Sequence, residues 1–170
     1  MIYSVDEINI QLRQRQDIMM KLPIPDFRER QMGQVLVTLE VTNHIDQILA
    51  ERGFISTEEV RSVTLTNVLV DTGATLLCLP SSVITQLGLA QFGEASVETS
   101  AGMKQGRIFK DVDLCIEGRQ GTFKCLELTE VSYALLGVIP MQDLGLEPDL
   151  KNHRLRLLPM NSEQSYLTAL

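Results

Sequence analysis

Tryptophan is absent, and three Tyr with five Phe bring the aromatic share to only 5%. Whatever core this chain builds must rest on Leu, Val and Ile. Histidine occurs twice, at 44 and 153, far apart in sequence. The cysteines are Cys78, Cys115 and Cys125, also widely spaced, with no C-x-x-C or H-x-x-x-H pair. That spacing argues against a zinc site and reads instead as three reduced, buried thiols. Positive charge is in deficit: 15 Lys and Arg stand against 22 Asp and Glu, a formal net charge of −7. A nucleic-acid groove needs clustered cations, so nucleic acid is not an expected partner, and an anionic membrane surface is disfavoured for the same reason. No apolar run approaches the roughly 18 residues of a membrane span. The opening residues, Met1 to Glu7, lack the basic region and apolar core of a signal peptide, so a cytoplasmic location is expected.

With 44% hydrophobic and 22% charged residues over 170 positions, the chain has enough material for one globular domain and an appendage. Residues 1–31 form the appendage: Ile8, Ile10, Leu12, Ile18, Met19 and Leu22 among Gln, Arg and Asp predict a helix over 8–22, which Pro23 and Pro25 end. From Gly33 the texture turns to a period of two. Residues 35–42 alternate as a half-buried strand that Asn43 stops. Residues 44–60 predict a helical insertion, with Ile45, Ile48 and Leu49 on one face and a capping-box spacing at Ser56 to Glu59. A strand over 63–71 follows, placing Val63, Leu65, Asn67, Leu69 and Asp71 on one face.

Further on, a strand over Leu76 to Leu79 stops at Pro80. Ser81 or Ser82 then caps a short helix that Gly88 closes. One hairpin is expected around a tip at 101–104 and a second around 118–121. Residues 134–139 are another buried run. A helix from Pro140 through Leu144 and a strand over 155–158 complete the domain, taken as 32–160, before a tail over 161–170.

Asp71-Thr72-Gly73-Ala74 carries the chemistry. It lies between two apolar runs, Val68-Leu69-Val70 and Leu76-Leu77-Cys78-Leu79. A carboxylate there is expected at the end of a buried strand, where scarce water disfavours its ionised form. Thr72 offers a hydroxyl to lock a tight loop, and Gly73 a backbone that a ligand can approach closely. A second such carboxylate facing it would give two acids sharing one proton, an arrangement that activates water.

The order of strand, Asp-Thr-Gly-Ala, strand, short helix, two hairpins, Leu-Leu-Gly, helix and strand resembles the single-domain retropepsin family of retroviral-type aspartic proteases. The resemblance runs from about Gly33 to Pro159. Val68 to Ala74 carries it, with Ala134-Leu135-Leu136-Gly137 about sixty residues later. It implies an all-β fold, a small closed barrel with a helical N-terminal extension and a helical insertion near 44–60. It further implies that Asp71 is the catalytic aspartate and that the Thr72 hydroxyl ties two catalytic loops together. Gly73 and Ala74 would then floor the substrate site, with Leu136 and Gly137 supporting the loop from behind. Ala101, Gly102 and Met103 would form the tip of a flap over a peptide or protein substrate. No metal and no organic cofactor is implied.

Counting sets the stoichiometry. The other aspartates, at 6, 17, 26, 46, 111, 113, 143 and 149, are not followed by Thr-Gly or Ser-Gly. One chain supplies half a dyad, so the resemblance implies a homodimer with Asp71 facing its symmetry mate. The chain also departs from the retroviral pattern. Thr75 and Val138 stand where those enzymes usually carry a paired Asp and Arg, so the dimer must be held by other means. Two alternatives stay open: a dimeric peptide-binding module of the same fold with little proteolytic activity, and a subunit of a larger assembly contacted through the insertion.

Overall fold

Nine strands, three short helices and a 3-10 turn fold residues 33–99 and 102–159, the portion that the computed structural model describes. The expected helix over 8–22 and the tail over 161–170 lie outside these residues. The strands are β1 (Leu36–Asn43), β2 (Ser62–Val70), β3 (Leu77–Pro80), β4 (Gln91–Thr99), β5 (Gly102–Ile116), β6 (Arg119–Leu128), β7 (Leu135–Leu136), β8 (Leu146–Asp149) and β9 (Arg154–Leu157). The helices are α1 (His44–Glu51), α2 (Ser81–Leu87) and α3 (Val138–Asp143). The protein is mostly β. The main sheet runs β1-β2-β7-β3-β6-β5-β4, and an additional β1–β5 pairing returns the ladder to its start. β8 and β9 form a separate antiparallel pair.

Two bulges make that closure possible. Between Val37 and Leu39 of β1, β2 advances from Val68 back to Leu65, one residue more than its partner. The extra residue falls at Asn67, whose φ is +56°. Asn tolerates this left-handed conformation better than other non-glycine residues, and the insertion flips the face that side chains present. Val63 and Leu65 pack toward the core on one side of the bulge, and Val68 on the other. The single face expected over 63–71 is therefore corrected: Leu69 and Asp71 do not share one with Val63 and Leu65. The second bulge is at Asp111, φ +61°, where three β5 steps oppose two of β6. It bends β5, so residues 102–109 pair with β4 while 112–115 pair with β1.

The core lies on one face of this sheet. Leu39, Val41, Val68, Leu77, Leu79, Val112, Leu114 and Leu136 are buried together with Val83, Ile84 and Leu87 of α2. Gly88 closes α2 at φ +59°, as its position predicts. The second hairpin turns tightly through Glu117 and Gly118, both at positive φ. The first is longer than expected, with strands reaching Thr99 and Gly102.

The insertion is less helical than its sequence suggests. α1 ends at Glu51, and only a 3-10 turn over Thr57–Glu59 follows, where Glu59 accepts the Ser56 N–H at 2.8 Å as the capping box predicts. Its buried residue is Asp46, while Ile45 is exposed. Asn43 caps α1 through its Oδ1 and donates its Nδ2 to the Leu87 carbonyl at 2.9 Å, fastening the insertion to α2.

Asp46 is buried because Arg61 reaches it with two hydrogen bonds, 2.6 and 2.7 Å. Glu127, its side chain 2% exposed, is held the same way by Arg107, with Nη2 to Oε1 at 2.6 Å. In both, the guanidinium holds the carboxyl below its usual range against the opposing effect of burial. A folded-state pKa below the unfolded one gives stability that is present above the ordinary carboxylate range and lost as pH falls through the lowered value. Denaturant midpoints should therefore drop on acidification below about pH 4. Arg107→Met should lower stability at neutral pH by stranding the buried Glu127 charge. It should also flatten the acid limb of the profile. An unchanged limb would contradict the assignment.

Candidate active site

β2 ends at Val70, and the chain then makes a tight loop. Asp71 N–H donates to the Leu136 carbonyl at 3.0 Å, and Ala74 N–H donates to the Asp71 carbonyl at 3.2 Å. Gly73 N–H donates to Asp71 Oδ1 at 2.8 Å, which fixes the orientation of the carboxylate. Beyond the loop, Val138 N–H donates to the Ala74 carbonyl at 2.8 Å and Ile139 N–H to the Thr75 carbonyl at 3.0 Å. The loop is thus clamped on both sides by one later segment.

That segment is β7, only two residues long, inserted between β2, to which it is parallel, and β3, to which it is antiparallel. Gly137 makes the threading possible. A Cβ there would lie 2.3 Å from the Leu76 carbonyl oxygen and 2.7 Å from that of Ala74. Both are backbone atoms, and no rotamer change could move them away. Its φ of −88° is ordinary, so space rather than dihedral freedom demands glycine here. The last helix also begins earlier than expected, at Val138, because this clamp leads directly into it.

The structure brings Asp71, Thr72, Gly73, Ala74, Leu136 and Gly137 together as one unit. Asp71 is only half-buried, and Thr72 and Gly73 are exposed. The expectation of a carboxylate deep in an apolar strand end is corrected: the loop tip faces solvent. Of the three hairpin residues, Gly102 opens β5 at φ +102°, Met103 pairs with Glu98 and is 66% exposed, and Ala101 lies outside the described residues.

A second apolar layer escaped the sequence reading. Residues paired directly across a sheet share a face. Leu36 pairs with Leu69, Leu69 with Leu135, Leu135 with Cys78, Cys78 with Leu126, and Leu126 with Ile108. None of these belongs to the core cluster. They form a row across six neighbouring strands on the outward face, about 24 Å long at the usual strand spacing. Asp71 continues the phase of Leu69, and its charge reaches the row. The Cys78 thiol is pushed up to about 11, by burial first and by the Asp71 charge second. Cys78 is thereby an unreactive thiol. Cys125, on the core face, is pushed up to about 12, mainly by burial. Cys115 is exposed, contrary to the expectation of three buried thiols.

Near Leu126 of β6 the row opens into a cleft of about 230 Å³ beneath the first hairpin. Val97, Leu126, Leu128 and Val131 supply its apolar walls. Lys104 on β5 and Glu130 beyond β6 close its rim with an ion pair at 2.9 Å. The signal that could have revealed this layer is β6 itself. Phe123 and Cys125 occupy one phase and Leu126 and Leu128 the other, so both faces of that strand are apolar.

Among the described residues no cluster of His, Cys, Asp and Glu could hold a metal ion, and no helix is long and apolar enough to cross a membrane. No family model matches the chain, and no curated protein matches it. Among solved structures, it is similar to EIAV protease complexed with the inhibitor HBY-793. The identity is 25% and the TM-score 0.42, over 48% of this chain and 78% of that one.

Proposed function

We propose that this protein is an aspartic endopeptidase whose site forms from two copies of the Asp71 loop. One observation carries the reading. A carboxylate oriented by Gly73 N–H stands on a rigidly clamped, solvent-facing loop, beside an apolar row with a cleft at its far end. Structural demands do not account for that carboxylate. Among the described residues its charge is matched by no cation, unlike those of Asp46 and Glu127.

A two-fold axis at the loop tip sets the two Asp71 side chains face to face and removes both from bulk water. Two carboxylates about 3 Å apart cannot both ionise, so they hold one proton between them. A water bound to both is deprotonated by the ionised carboxylate and attacks the scissile carbonyl carbon, while the protonated one gives its proton to the carbonyl oxygen. The resulting gem-diol collapses: one of its hydroxyl protons returns to a carboxylate, the amide nitrogen receives a proton from the dyad, and the C–N bond breaks. A carboxylic acid and an amine leave, and the shared proton is restored. The apolar row favours extended peptides with aliphatic side chains near the scissile bond, closed over by the hairpin carrying Met103.

The test is cleavage of a peptide library by the full chain at mildly acidic and neutral pH, with and without a pepstatin-type inhibitor. Inhibitable cleavage beside aliphatic residues is expected. A chain that binds such peptides and releases them intact would instead be a binding module.

A further inference from the structure

Resting on that reading, we infer that Ile139 and Thr75 form an uncharged contact with the second copy of the chain, flanking the two-fold axis. Ile139 is 44% exposed although both residues that follow it, Pro140 and Met141, are buried. α3 therefore cannot rotate to hide it. Its N–H is bonded to the Thr75 carbonyl at 3.0 Å, which fixes its backbone beside the stem of the Asp71 loop. Thr75 is itself exposed.

Distance then names the occupant. Ala74 N lies 3.2 Å from the Asp71 carbonyl oxygen, and one further Cα step of 3.8 Å brings the chain to Thr75. Thr75 Cα thus lies within about 8.5 Å of that carbonyl. If the two carboxylates meet at about 3 Å, an exposed group this close falls within side-chain reach of the mate. A second copy is the one partner that the chemistry of the loop already requires. The contact is also electrically neutral: residues 72–76 and 134–142 contain no charged side chain. Thr75 and Val138 lack the acid and base that would make an ion pair here, and the exposed isoleucine next to Val138 supplies apolar area in its place.

Sedimentation of the full chain, with activity read over the same concentration range, tests this. Ile139→Glu should raise the dimer dissociation constant at least tenfold. Its peptidase activity should be lost at low concentration and recovered at high concentration, with an unchanged circular-dichroism spectrum. Ile139→Val should behave as wild type. Wild-type dimerisation should not weaken between 0.05 and 0.5 M NaCl, since the contact holds no ion pair for salt to screen and each chain carries a like net charge of −7. Thr75→Lys, at an exposed position on the same patch, repeats the test should Ile139→Glu alter the spectrum. A folded Ile139→Glu chain that dimerises like wild type would overturn the inference and leave the protease reading intact. A wild-type chain that cleaves peptides as a monomer would overturn the dyad itself.

Discussion

Asp71→Asn is expected to abolish peptide cleavage while leaving the chain folded. The loop makes this substitution a clean one. Oδ1 of asparagine can accept the Gly73 N–H as Asp71 Oδ1 does, so the 2.8 Å bond and the loop shape survive. What disappears is the ability to take a proton from water. General acid–base help is worth about two to four orders of magnitude, and both members of the dyad are lost together in a homodimer. Wild-type activity should fall on either side of a pH optimum, since one carboxylate of the pair must be ionised and the other protonated. Assaying wild type and variant in parallel on one peptide set decides the matter. Equal cleavage by both would place the activity elsewhere.

Gly137→Ala should produce the largest loss of stability of any single methyl addition to the domain core. The new Cβ would sit 2.3 Å from the Leu76 oxygen and 2.7 Å from the Ala74 oxygen, which belong to the Asp71 loop and the segment leaving it. Overpacking of an ordinary core site costs about 1–3 kcal/mol through side-chain adjustment. Here only backbone displacement can relieve the contact, so about 3 kcal/mol or more is expected, with a fall in melting temperature of about 10 °C. Activity should drop further than the folded fraction does, because the same displacement moves Asp71. Gly93→Ala is the control: no heavy atom lies within 4 Å of its added Cβ, and its φ is not positive. A Gly137→Ala melting curve matching that of Gly93→Ala would refute the threading argument.

Much of this architecture is legible wherever the cause is local. Alternation marks β1, Asn43 marks its end, and the glycine after α2 marks that helix's end, because strand pleat and left-handed caps act within a few residues. The Asp-Thr-Gly-Ala loop and the Leu-Leu-Gly segment stand out through resemblance to a family pattern rather than through a local cause. What stays hidden depends on distant partners. Nothing near Asp46 announces that Arg61 will make its burial tolerable. Asn67 and Asp111 carry no glycine to betray their positive φ, so the face switch at the first passes unseen. β8 includes Pro148, which disguises a short edge strand. Beyond the two apolar phases of β6, the outward row leaves no mark in the sequence, because its members come from six separate strands that only pairing register aligns.

The insertion of β7 between β2 and β3 also sets an order of events during synthesis. The catalytic loop emerges first, yet its three fixing bonds come from Leu136, Val138 and Ile139, more than sixty residues later. Loop closure over such a span is slow compared with forming the hairpins that lie between. A nascent chain that has made β1 through β6 therefore carries Asp71 on an unanchored turn. On the proposed reading the site is complete only when the last fifth of the domain is threaded home, so a fragment stalled or cut before residue 134 holds the acid without the site.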